Sequence, residues 1–103
     1  MVVGIMSSAD KKFVANATIV LREESDDWAL LYDPDSGEAY GLNPLGVIIW
    51  KHLDGKHGVA DLVGILRREL KAVPGDAGDH VEEFLEALEK KGLASPSDGQ
   101  VVL

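Results

Sequence analysis

A chain of 103 residues, 46% hydrophobic and 27% charged, has the make-up of one folded domain with a small core and a modest margin of stability. It contains no cysteine, which excludes disulfides, thiolate nucleophiles, cysteine-held zinc and self-ligated iron–sulfur clusters. The net charge of −8 is spread along the chain: three basic residues face eight acidic ones before Asn43, and seven face ten from Asn43 onward. Such a field repels phosphate backbones and suits neutral or cationic partners, although solubility alone accounts for it equally well.

No run approaches the roughly 20 apolar residues that span a bilayer. The opening Met1–Met6 segment is too short for a signal-peptide core before it meets Asp10-Lys11-Lys12, so cytoplasmic residence without a membrane partner is the expectation. Residues 1–17 show no sustained periodicity and read as a flexible tail. From Thr18 the pattern sharpens. Ile19-Val20-Leu21 is a β-branched run closed by the turn residues Ser25-Asp26-Asp27, and Trp28–Tyr32 is a second strand. Asp33-Pro34-Asp35-Ser36-Gly37 is a hairpin turn, because Pro34 cannot donate to a ladder and Gly37 tolerates positive φ. Glu38–Leu42 is the third strand of an antiparallel meander.

Asn43-Pro44 starts a helix, Asn as cap and Pro at the first helical position. This first helix runs to Leu53, burying Leu45, Ile48 and Ile49, with Trp50 or Leu53 as further candidates, and stops at Asp54-Gly55. A second runs from Val59 to Lys71, with Val59, Leu62, Val63, Leu66 and Leu70 on one stripe and Gly64 inside it. Val73-Pro74-Gly75 breaks it. The third begins near Asp76 or Asp79, where Asp79 with Glu82 resembles a capping box, and carries Val81, Phe84, Leu85 and Leu88. Val81 and Leu88 face the core, with Phe84 and Leu85 on opposite margins. Gly92 is the expected C′ residue, with Leu93 folding back as its apolar partner. Residues 95–103 form a second tail, in which Gln100–Leu103 could add a terminal strand. The predicted fold class is α+β, winged-helix-like, with a three-stranded antiparallel sheet followed by three helices, a single domain over residues 18–94.

Chemistry is sparse. His52 and His57 straddle a helix stop, so they are not the i, i+4 pair of a helical zinc site, and His80 opens the third helix. The carboxylates cluster in turns or on an outer helix face, where solvated charge explains them. No Gly-x-Ser-x-Gly elbow or phosphate loop is present. No catalytic residue, metal ligand or cofactor is expected. Three helices and a hairpin suggest a winged helix, and Arg67, Arg68 and Lys71 make a modest basic patch. The third helix, however, carries six carboxylates against two lysines over residues 76–91, which argues against nucleic acid.

Ala29-Leu30-Leu31-Tyr32, then Gly41-Leu42-Asn43-Pro44-Leu45-Gly46, Ile49-Trp50 and Leu53-Asp54-Gly55 occur in a telling order. Val59-Ala60-Asp61-Leu62, Val81–Leu85, Leu88 and Gly92-Leu93 complete it. Over about residues 18–94 this order resembles the PqqD family, whose fold is also called the RiPP recognition element; Gly58 departs from the Ser or Thr more usual before the second helix. The resemblance implies a non-catalytic adaptor. It would bind the leader of a ribosomally made precursor peptide and hand it to a modifying enzyme, frequently a radical S-adenosylmethionine enzyme. It also implies that the leader adds a β-strand to the third strand, in a groove closed by the third helix. Carried onto this sequence, the accepting edge is Glu38, Ala39, Tyr40, Gly41 and Leu42, and the helical flank is His80, Phe84, Ala87 and Lys91. Two plainer readings stay open: the third strand packs wholly against its neighbours, or Phe84 is ordinary core. An exposed third strand could also pair with a second copy of the chain as a homodimer.

Overall fold

The computed structural model describes residues 12–96. The order of elements is β1 (Phe13–Ala15), β2 (Val20–Glu23), β3 (Ala29–Tyr32), β4 (Ala39–Leu42), α1 (Pro44–Lys51), α2 (Val59–Glu69), α3 (Ala77–Lys90) and β5 (Ala94–Pro96). Strands β2, β3 and β4 make an antiparallel sheet in that order, followed by three helices, an α+β architecture as expected. Leu21, Leu31 and Tyr40 align across the sheet, as do Glu23, Ala29 and Leu42. This parity sends Leu31 and Leu42 inward, where both are buried, and leaves Val20 and Tyr32 on the solvent face.

Local signals placed most of the punctuation. Gly37 takes φ +79 and its N–H donates to the Asp33 carbonyl, while the Asp35 N–H bonds the Asp33 carboxylate. The Asn43 side chain accepts from the Gly46 N–H at 2.9 Å, with Pro44 as the first helical residue. At the other end of the helical region Gly92 takes φ +74. The Leu93 N–H reaches back to the Leu88 carbonyl and the Gly92 N–H to that of Glu89, the paired bonds of a Schellman stop. Leu93 is thereby folded into the core, 1% exposed.

Several expectations need correction. The chain is already ordered at Phe13, ahead of Thr18: β1 pairs with β5, and Phe13 is buried. The Ala15 and Asn16 N–H groups donate to the Leu53 and Leu93 carbonyls, so this segment ties the turn after α1 to the end of α3. Three residues are too few for alternation to show, which is why the segment reads as a tail. Ser95 and Pro96 likewise belong to β5, whereas the strand expected at Gln100–Leu103 lies outside the described residues. Helix α3 starts at Ala77 with Asp76 as its cap residue, and the Asp76 carboxylate, engaged with His80 Nε2 at 3.2 Å, makes no capping hydrogen bond. Asp79 therefore sits inside the first turn and forms no capping box. Lastly, α1 ends at Lys51, short of Leu53, and leaves Leu45 and Ile48 half-buried, whereas Ile49 is buried as expected and Trp50 and Leu53 both join it.

The core gathers where the three helices meet the inner face of the sheet. Its fully buried side chains include Leu31, Leu62, Leu66, Val81, Leu85 and Leu93. Leu85 thus belongs to the interior and not to a margin of α3, and Ile65 joins the α2 stripe, where Val63 and Leu70 are only half-buried. Gly64 has open space around it, so no close helix approach depends on it. Among the described residues no helix is long and apolar enough to cross a membrane.

Candidate functional site

Strand β4 is an edge. On one side it pairs with β3; on the other no described strand lies against it. The hydrogen-bond phase tells which main-chain groups are open. The Asp33 N–H donates to the Glu38 carbonyl at 2.9 Å, so Glu38, Tyr40 and Leu42 turn their polar groups toward β3. In an antiparallel ladder the alternate positions then point the other way, so the N–H and C=O of Ala39 and Gly41 face outward. A Cβ built on Gly41 meets nothing within 4 Å, and no proline interrupts the strand.

Helix α3 approaches this edge through Lys91 and Phe84. His80, Phe84, Ala87 and Lys91 recur at i, i+4, i+7 and i+11, a single helical face. The Lys91 ammonium lies 5.4 Å from the centre of the Tyr40 ring, a cation–π contact that fixes one end of the groove. At the other end Phe84 and Leu42 close on Gly46 of α1: a Cβ there would stand 3.2 Å from Leu42 Cδ2 and 3.4 Å from Phe84 Cζ. Gly46 thus lets α1 tuck in beneath the strand and the helix. Phe84 is half-buried, so it is neither plain core nor surface, and Ala87 and His80 are exposed.

Next to Phe84 the groove deepens into a cavity of about 330 Å³ lined by Asn43, Leu45, Gly46, Ile49, Pro74, Ala77, His80, Val81 and Phe84. The walls are mainly aliphatic and the rim carries one imidazole. Of the nine residues expected at the site, Tyr40 and Lys91 are in direct contact, and His80 and Phe84 line the cavity. Glu38 accepts a hydrogen bond from the Tyr40 hydroxyl. That bond, foremost, holds the Tyr40 phenol above its ordinary range, with desolvation and the charges of Glu38 and Asp33 adding to it. The α1 contribution, Leu45, Gly46 and Ile49, was missed from sequence; the signal was the Gly two places after Pro44, unusual in a helix unless something packs there.

Two of the three histidines meet, while His80 Nε2 pairs with Asp76. His52 Nδ1–H donates to the Ile48 carbonyl and His57 Nδ1–H to Asp54 Oδ1, their rings meeting edge to face at 5.6 Å. Among the described residues no cluster of three His, Cys, Asp or Glu side chains could hold a metal ion.

The family model described as Coenzyme PQQ synthesis protein D (PqqD) matches residues 29–94, from the start of β3 to the start of β5 and more than half of the chain. Among solved structures the chain is similar to "TbiB1 in Complex with the TbiA(beta) Leader Peptide", with a TM-score of 0.63 and 22% identity. That alignment covers 85% of this chain and 99% of the other, and at such identity it speaks for the fold alone. No curated protein matches in sequence.

Proposed function

This chain belongs to the PqqD family, and from that membership we propose that it is a non-catalytic adaptor, binding the leader of a ribosomally synthesised precursor peptide by β-strand addition and presenting it to a modifying enzyme. The observation that carries this reading is the edge of β4, open among the described residues, near the α3 face that holds half-buried Phe84 and the Lys91–Tyr40 contact. The leader lies along Glu38–Leu42, bonded through Ala39 and Gly41, with alternate side chains turned toward His80, Phe84, Ala87 and Lys91. Leader binding as such is supported by the similar fold of a protein solved in complex with a leader peptide.

Magnitudes say how the affinity is divided. An added strand over two outward-facing residues forms up to about four main-chain hydrogen bonds, each worth a net ~0.5–1.5 kcal/mol. Micromolar binding requires about 8 kcal/mol, so the ladder alone falls short. One large apolar side chain seated in the cavity adds ~1.5–3 kcal/mol, and the remaining groove contacts supply the rest. Backbone pairing therefore sets register and direction, while the cavity and the α3 face choose the sequence.

The modifying enzyme is a separate chain, of radical S-adenosylmethionine or another class. Titrating the isotope-labelled protein with candidate leader peptides tests the reading. Amide shifts at Ala39 and Gly41 and ring shifts at Phe84 are expected; perturbations confined to α2, or none with any leader, sink it.

A further inference from the structure

Helix α1 is apolar almost all round, Pro-Leu-Gly-Val-Ile-Ile-Trp-Lys, the composition of a helix covered on every side. The described chain covers it incompletely. Leu45, Gly46 and Ile49 face the cavity at the leader groove, while Pro44, Val47, Ile48 and Lys51, spaced i, i+3, i+4, i+7, form the stripe on the opposite side. That second stripe lines a separate cleft of about 250 Å³, completed by Glu23, Ser25, Asp26 and Trp28 from the β2–β3 hairpin. Trp28 is 47% exposed, and its carbonyl accepts from the N–H groups of Glu24 and Ser25, which pins its backbone at the hairpin neck. Tryptophan left half in water beside two half-buried aliphatic side chains is the composition of a binding anchor.

Charge narrows the occupant. Four carboxylates, Glu23, Glu24, Asp26 and Asp27, surround the hairpin tip. Glu23 is paired with Lys51 at 3.0 Å and Glu24 with Arg22 at 3.5 Å. Asp26 and Asp27 have no cation beside them among the described residues. An indole face with the unpaired Asp26 carboxylate in the cleft wall, and Asp27 next to it in the chain, suits a guanidinium or ammonium, and the Val47–Ile48 wall suits an aliphatic neighbour.

We propose that this cleft docks a protein segment presenting an arginine or lysine next to an aliphatic side chain, and that the segment belongs to the modifying enzyme. The identity of the partner rests on the adaptor reading; the chemistry of the cleft does not. Because the two stripes lie on opposite sides of α1, leader and enzyme are held at once, with one short helix between them.

The test uses the intact chain and two synthetic probes, acetyl-Ile-Arg-Arg-Leu-amide and its Ile-Glu-Glu-Leu counterpart, at low salt. Expected are saturable shifts of the Trp28 indole N–H and the Val47 and Ile48 methyls with the basic probe alone. Asp26→Asn with Asp27→Asn weakens that binding about 3- to 10-fold, as loss of rim charge should. Equal response to both probes, no saturable shift, or shifts gathered at Leu45 and Phe84 overturn the proposal. So does concentration-dependent self-association that shifts the same Trp28, Val47 and Ile48 signals without any probe, which assigns the cleft to a second copy. Leader binding, read at the Gly41 amide of the same samples, is scored separately, so failure of either reading leaves the other standing.

Discussion

Gly46 stands between α1 and the groove with its missing side chain as its contribution. Any Cβ there presses on Leu42 and Phe84 at 3.2 and 3.4 Å, so the neighbours must yield by a few tenths of an ångström. Alanine gains ~1 kcal/mol of helix propensity against that crowding and should leave stability nearly unchanged. Gly46→Val overpacks the site, and a loss of about 1–3 kcal/mol in urea unfolding is expected, together with weaker leader binding as Phe84 is driven toward the groove. Asp54 governs a pH effect. Its carboxyl is held below the ordinary carboxylate range by the His57 ring N–H and then by the Lys56 N–H. A folded value below the unfolded one gives stabilisation that is present above about pH 4 and lost as pH falls through the lower, folded value. Urea midpoints at about pH 6 and about pH 3 should show that loss, and Asp54→Asn should shrink the difference.

At the scale of elements, the phase of β4 makes a sharp distinction between neighbouring positions. The Gly41 N–H points away from β3 and the Tyr40 N–H toward it. Gly41→Pro should therefore leave the melting temperature within a few degrees of the parent while removing a leader bond and blocking docking. Tyr40→Pro, one residue earlier, breaks the ladder itself and should unfold the sheet edge. A leader titration beside a thermal melt decides this; equal destabilisation by the two prolines would mean the phase is wrong. The elements themselves were legible where a local signal sufficed. Asn43-Pro44 opened α1 and Gly92 closed α3, because caps depend on residues within one turn. The Asp79–Glu82 pattern misled because the chain enters α3 through Pro74-Gly75, and the Asp76 carboxylate is drawn to His80.

For the whole molecule the surprise lies at the ends of the described chain. Strand β1 closes against β5 and hangs on Leu53 and Leu93 by main-chain bonds, so the first described strand and the last lock the helical layer. Phe13, 4% exposed, is part of the core cluster. Phe13→Ala should cost about 3–5 kcal/mol, a core-sized penalty, in calorimetry or denaturant unfolding. A surface-sized change would place this residue outside the cooperative unit.

What the chain of residues determined alone was short-range: three strands and three helices, the turn at Gly37, the stops at Gly55 and Gly92, and the acidic, cysteine-free composition. The order Leu42-Asn43-Pro44 through Gly92-Leu93 also carried the family. Each depends on neighbours a few positions apart, where sterics and capping leave little choice. Packing decided the rest. Whether β4 keeps an open edge, whether Lys91 reaches Tyr40 across some fifty positions, and whether the second face of α1 stays uncovered are long-range outcomes. They arise because buried area, summed over many weak contacts, selects which apolar faces meet, and no local pattern encodes that sum.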